Sequence, residues 1–236
     1  MHKSGTTAVA KILGATINRD VSSDPLHQIN LIDGNARIRM EKKEVSFEEL
    51  VRLYPQFFRS TVIKDPHFPM MLSDVRSVFP NMKLVAIVRD PRDTIRSILN
   101  RLDLPGDPSS VALDEIDLPF GWKSLLKGEY PDIEGNDYIE VLANRWNLIA
   151  TCLFDNKEKS FLIKYEEFKK NKQAAIEELA RELGYLKLRS SKNIQDKQFQ
   201  PKGDSNVSWP DFYNSKQINK INMICAPMME KFNYDS

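Results

Sequence analysis

The stretch Lys83–Ser97 reads K-L-V-A-I-V-R-D-P-R-D-T-I-R-S. Lys83 to Val88 is expected as a strand, because Leu84 to Val88 is a continuous apolar run rich in β-branched residues, the pattern of a strand buried on both faces. Asp90-Pro91 then places a capping carboxylate before a proline at the first helical position, so a helix is expected from about Pro91 to Arg101. A strand running straight into a helix is the unit from which parallel sheets covered by helices are built. Arg89 leaves the carboxyl end of the strand, where open parallel sheets place their ligands. Ser97 lies 97 − 89 = 8 positions further on. An extended guanidinium can share an anion with that hydroxyl, since its fork suits phosphate oxygens. The plainer alternative is a surface helix start laced with intrahelical ion pairs.

Moving outward, the N-terminal Lys3–Thr7, K-S-G-T-T, leads directly into Ala8-Val9-Ala10-Lys11-Ile12-Leu13. Gly5 lets backbone approach a ligand, two threonine hydroxyls flank it, and the N–H groups of a starting helix favour an anion. Lys3 adds a mobile positive charge. This is a phosphate cradle, but not a Walker A loop, because the lysine precedes the glycine and no second glycine lies upstream. A capped helix near a chain end is the alternative. Further strands are expected at Ser60–Lys64 and Ser160–Tyr165. Ser46 with Glu49 forms a capping box before Phe47, Leu50, Val51 and Tyr54. Ile139, Leu142, Trp146, Ile149 and Leu153 mark a long helix in which Trp146 reads as core. Another helix runs from Ala174 to Leu183 and stops at Gly184.

The 236 residues carry 34 basic against 33 acidic side chains, which argues against a nucleic-acid binder working by bulk electrostatics. No apolar run approaches the roughly 20 residues of a membrane span, and Met1–Thr16 lacks the pattern of a secretory signal. Cys152 and Cys225 read as reduced structural thiols, which supports a cytoplasmic location. A single domain over 1–236 is expected. Its Pro- and Gly-rich segment 103–137 is expected to hold only short helices and to shape an acceptor site or lid. The polar segment 188–206 is expected to form a loop covering a cofactor.

Taken together, K-S-G-T-T and a strand ending in R-D-P-R-D-x-x-x-S resemble the two cofactor signatures of sulfotransferases that use 3′-phosphoadenosine 5′-phosphosulfate (PAPS). Lys64-Asp65-Pro66-His67 is similar to the lysine and histidine that follow a strand in that family. Phe161–Phe168, F-L-I-K-Y-E-E-F, is similar to its strand ending in Tyr-Glu-Asp/Glu, and Lys202-Gly203 followed by Trp209 to its Arg-Lys-Gly loop. The resemblance spans Lys3 to about Tyr234. It implies a three-layer α/β/α fold with a central parallel sheet, related to P-loop NTPases. It also implies transfer of a sulfuryl group from PAPS to a hydroxyl or amine acceptor, a small molecule, carbohydrate or peptide, by in-line displacement, with no metal.

On this resemblance Lys3 contacts the bridging oxygen, while Ser4, Gly5, Thr6 and Thr7 surround the 5′-phosphate. Arg89 and Ser97 bind the 3′-phosphate with Lys202 and Gly203, and Tyr165 approaches the adenine. Lys64 and His67 complete the catalytic set, His67 as general base. His2, Glu48, Glu49 and Asp65 stand as alternative bases. The chain departs from the family pattern in three places. Only Met1 and His2 precede Lys3, so the first strand is expected to be missing or truncated; Ala8 stands where cytosolic members carry tryptophan; and His67 lies one residue further from Lys64 than in Lys-Thr-His. An excised lumenal domain also fits these features. Rival functions are a P-loop-type phosphotransferase, which requires Mg²⁺ and a lysine after glycine, and a non-catalytic adenosine-bisphosphate-binding protein.

Overall fold

The computed structural model describes residues 1–34, 36–41, 43–130, 132–186, 188–199 and 207–235, with backbone alone at 37, 38, 41 and 120. In chain order these form α1 (Thr6–Ile17), β1 (Val21–Ser23), α2 (Pro25–Ile32), α3 (Ala36–Glu41), α4 (Phe47–Leu53) and β2 (Val62–Lys64). Next come α5 (Leu72–Val78), β3 (Leu84–Val88), α6 (Pro91–Arg101), α7 (Phe120–Leu126) and α8 (Tyr138–Asp155). The rest comprises β4 (Ser160–Lys164), α9 (Tyr165–Lys170), α10 (Lys172–Glu182), α11 (Lys192–Gln195), α12 (Trp209–Phe212) and α13 (Ser215–Lys231). The fold class is α/β, as the alternation of apolar runs and helical periods leads one to expect. The chain divides into two compact units. Gly5–Ile87 with Glu158–Gln200 makes the strand unit; Met1–Ser4, Val88–Lys157 and Pro201–Ser236 make the helical unit.

In the strand unit, β1 and β2 pair in parallel with Val21 opposite Val62 and Ser23 opposite Lys64, and β3 pairs with β4. The expectation of one central sheet meets two short pairs among the described residues. At three residues each, β1 and β2 can form only a short ladder. Side chains rather than a long ladder hold this unit together. Val9, Ile12, Leu13 and Ile17 repeat at helical spacing on one face of α1 and bury against Ile87, Phe168 and the Ile176–Leu179–Leu183 face of α10. Val62, Val85, Phe161 and Ile163 of the strands pack on the same cluster. A second core gathers Leu26, Ile29, Leu50 and Val75 around Phe47, whose ring meets Phe58 edge-on at 5.6 Å. The capping box at the start of α4 forms as the sequence indicates, Ser46 and Glu49 bonding reciprocally.

The helical unit rests on α8 and α13. Ile139, Leu142, Trp146, Ile149 and Leu153 are buried on α8, and Ile221, Cys225, Met228 and Met229 on α13. Periodicity alone did not single out α13, because Pro227 interrupts it and its first turns are polar. α6 starts at Pro91 with the Asp90 carboxylate accepting the Arg92 N–H, as read from sequence. Segment 103–137 holds short helical turns and α7, pinned by buried Leu104, Leu118, Leu125, Leu126 and Ile133. Neither cysteine is in a disulfide, and burial pushes the Cys225 thiol far up. No helix among the described residues is long and apolar enough to cross a membrane.

Candidate active site

Among the described residues no strand precedes α1; residues 1–5 form a tight turn. Lys3 sits in the left-handed region at φ 57°, a conformation that costs a non-glycine residue energy and persists where surroundings fix it. Two bonds within the helical unit fix it. The wholly buried Ser4 donates its hydroxyl to the Met1 carbonyl at 2.7 Å. Arg89 Nη1 donates to the Lys3 carbonyl at 2.7 Å. Lys3 and the arginine that closes the K-L-V-A-I-V strand therefore meet, although 86 positions separate them. Arg89 Nη2 also lies 3.4 Å from the Asp93 carboxylate. The Lys3 ammonium is shifted below the ordinary lysine range, first by burial and then by the charges of Arg101 and Arg89. No carboxylate among the described residues acts on it. Asp93 answers part of the Arg89 charge, and an excess of positive charge at one place suits an anionic ligand.

α8 supports this group from behind. Trp146 Nε1 donates to the Arg89 carbonyl at 2.9 Å, and Thr94 Oγ1 approaches the same oxygen at 3.4 Å. The adjacent Arg145, also buried, reaches His2 Nδ1 at 2.7 Å. A guanidinium has no acceptor, so His2 Nδ1 must accept and its lone pair is engaged. That occupies one of the two ring nitrogens through which His2 could act as base. The His2 ring packs edge-on to Trp122 at 5.5 Å. Ser97 is half-buried on α6. Arg92 is committed structurally: it binds Asp90 at 2.7 Å and the Asp235 carbonyl at 2.7 Å, and lies 4.4 Å over the Trp209 ring.

In the strand unit Gly5 caps α1 at φ 77°. A Cβ there would lie 2.5 Å from the Tyr165 ring, so both conformation and space demand glycine. The first N–H groups of α1, from Thr6 onward, have no intrahelical acceptor, and no acidic residue occupies that turn. Lys64 is buried and binds Asp24 Oδ1 at 2.8 Å. Asp65 accepts N–H bonds from Leu26 at 3.1 Å and His67 at 3.0 Å, and burial pushes its carboxyl up to about 6. His67 stands at the start of the helical turn Phe68–Met71 without capping it through its side chain. Of the other alternative bases, Glu49 is spent on its capping box. Lys202 and Gly203 lie outside the described residues.

In the helical unit the Arg89 guanidinium and the Lys3 carbonyl are joined by a hydrogen bond; in the strand unit α1 starts without a side-chain cap. The sulfotransferase domain family matches residues 1–201. The chain belongs to that family. No curated protein and no solved structure matches it. Within this sulfotransferase domain, the sequence motifs find Lys3 and Arg89 but not the residues around them. Arg101 carries a faint signal, one helical turn beyond Ser97 on the same face of α6. Arg145 and the indole N–H of Trp146 carry none, because α8 reads simply as an apolar stripe. Among the described residues no group of His, Cys, Asp and Glu side chains is arranged to hold a metal ion.

Proposed function

We propose that this sulfotransferase takes its sulfuryl group from PAPS and passes it to an acceptor hydroxyl. The observation that carries the reading is the direct bond between Arg89 and the Lys3 carbonyl, which joins the two anion-binding motifs. Two features fit the donor. Lys3, Arg89 and Arg101 concentrate positive charge in the helical unit, and in the strand unit α1 starts with no side-chain cap and no acidic residue in its first turn. Arg89 and Ser97 would hold the 3′-phosphate with Lys202 and Gly203. Lys3, Ser4, Gly5, Thr6 and Thr7 would line the 5′-phosphosulfate, Ser4 by its backbone because its hydroxyl is bound to Met1. Tyr165 would flank the adenine.

When bound, PAPS supplies an activated sulfuryl group whose departure leaves negative charge on a phosphate oxygen. A fixed ammonium at Lys3 stabilises that charge more in the transition state than in the ground state. Burial and the charges of Arg101 and Arg89 disfavour the ammonium in the absence of a ligand, a penalty that an arriving anion relieves. His67 would take the proton from the acceptor hydroxyl, a task suited to an imidazole. Lys64 would serve by fixing, through its pair with Asp24, the turn in which Asp65 orients His67.

Incubation with ³⁵S-labelled PAPS, EDTA and a panel of alcohols, phenols, amines, sugars and tyrosyl peptides tests the proposal. Label moving to at least one hydroxyl acceptor is expected. Absence of transfer to the whole panel, with phosphoryl transfer from ATP and Mg²⁺ instead, overturns it in favour of a phosphotransferase.

A further inference from the structure

We infer that Trp146 is a positioning residue for the Arg89 anion site, an inference that rests on the sulfotransferase reading above. By sequence Trp146 is one member of an apolar stripe on α8, and its burial agrees with that. A purely packing role, however, leaves the direction of its one polar group unspecified. The indole has a single donor, and a buried one must find an acceptor. Here it finds the carbonyl of Arg89 itself at 2.9 Å. That carbonyl lies just past the last residue of β3 and one residue before the Asp90 cap of α6, outside both elements. Thr94 Oγ1 approaches the same oxygen less closely, at 3.4 Å, the long limit of a hydrogen bond.

The bonds form a chain: Trp146 Nε1 holds the Arg89 backbone, and the Arg89 side chain holds the Lys3 backbone at 2.7 Å. Trp146 thus sets where the guanidinium fork starts, and a fork binds phosphate oxygens well only from the correct direction. Loss of the N–H should harm recognition of the 3′-phosphate more than any other part of the ligand, because Arg89 is the residue displaced.

Two variants test this. Trp146→Phe removes the donor, and replacement of Trp146 by benzothienylalanine removes it while keeping the bicyclic shape, which guards against a folding defect. Each is titrated with 3′,5′-bisphosphoadenosine and with adenosine 5′-phosphosulfate, which lacks the 3′-phosphate. One hydrogen bond's net value corresponds to a roughly 2- to 10-fold loss of bisphosphate affinity, with a smaller loss of phosphosulfate affinity. A merely structural tryptophan would move both affinities together. Equal losses, or none, in both variants overturn the inference and leave the sulfotransferase reading intact. A wild-type protein that binds neither ligand overturns both.

Discussion

Two lysines follow similar sequence cues and meet opposite fates. Lys64 ends β2, is buried, and has its charge answered by Asp24 at 2.8 Å. Lys3 precedes α1, carries a left-handed backbone, and has Arg89 and Arg101 rather than a carboxylate acting on its ammonium. A buried ion pair is costly to break but self-contained. A cation crowded by other cations is electrostatically incomplete until an anion arrives. On the function proposed above, the helical unit supplies charge for a ligand, whereas the motif in the strand unit spends its charge on its own structure.

This contrast is broken or sharpened first by mutating both lysines. Lys3→Ala should lower kcat by roughly 10²- to 10³-fold, the scale of one lost transition-state donor, with little change in thermal stability. Lys64→Met should leave Asp24 without its partner. It is expected to lower unfolding free energy by about 2 kcal/mol, a value discounted because Asp24 is partly exposed, while bisphosphate affinity of the folded protein holds. Steady-state kinetics and urea titration separate the two outcomes. A Lys3 variant that raises KM at constant kcat would contradict the assigned role.

A second test concerns Asp65, next to Lys64. Its carboxyl is raised from 3.8 to about 6 by burial, so the folded state holds the proton more tightly than the unfolded one. Stability from this group is present below pH about 4 and falls as pH rises to about 6, by about 3 kcal/mol at most. Glu140 in the helical unit runs the other way. Its side-chain bond to Lys220 pulls its carboxyl down to about 2, so its contribution is present above its unfolded range and is lost toward strong acid. Asp65→Asn should make unfolding midpoints rise more, or fall less, between pH 4 and 6.5 than in the wild type. An unchanged slope would mean that Asp65 is not held in this way.

Much of the fold is legible because its signals are local. The β3 run, the Asp90-Pro91 start of α6 and the Ser46–Glu49 box each declare themselves within a few residues. β1 escapes notice because Val-Ser-Ser carries one apolar residue, and its place depends on pairing with a strand about forty positions away. α13 is hidden by Pro227. The same division holds at the site. Lys3, Gly5 and Arg89 belong to compact motifs, but the grip of Arg89 on Lys3, of Trp146 on Arg89 and of Arg145 on His2 arises between distant segments. No spacing rule reports such contacts. The pairing of Lys64 with Asp24 is equally non-local, so sequence alone does not separate the two lysines.

The most direct measurement is calorimetric titration of 3′,5′-bisphosphoadenosine and AMP into wild type and Arg89→Ala, with EDTA present. The account predicts that wild type prefers the bisphosphate, and that Arg89→Ala loses about 1.5–3 kcal/mol of bisphosphate affinity with a smaller loss for AMP. Equal affinity for the two nucleotides in wild type, or an Arg89→Ala protein that still discriminates between them, would contradict it.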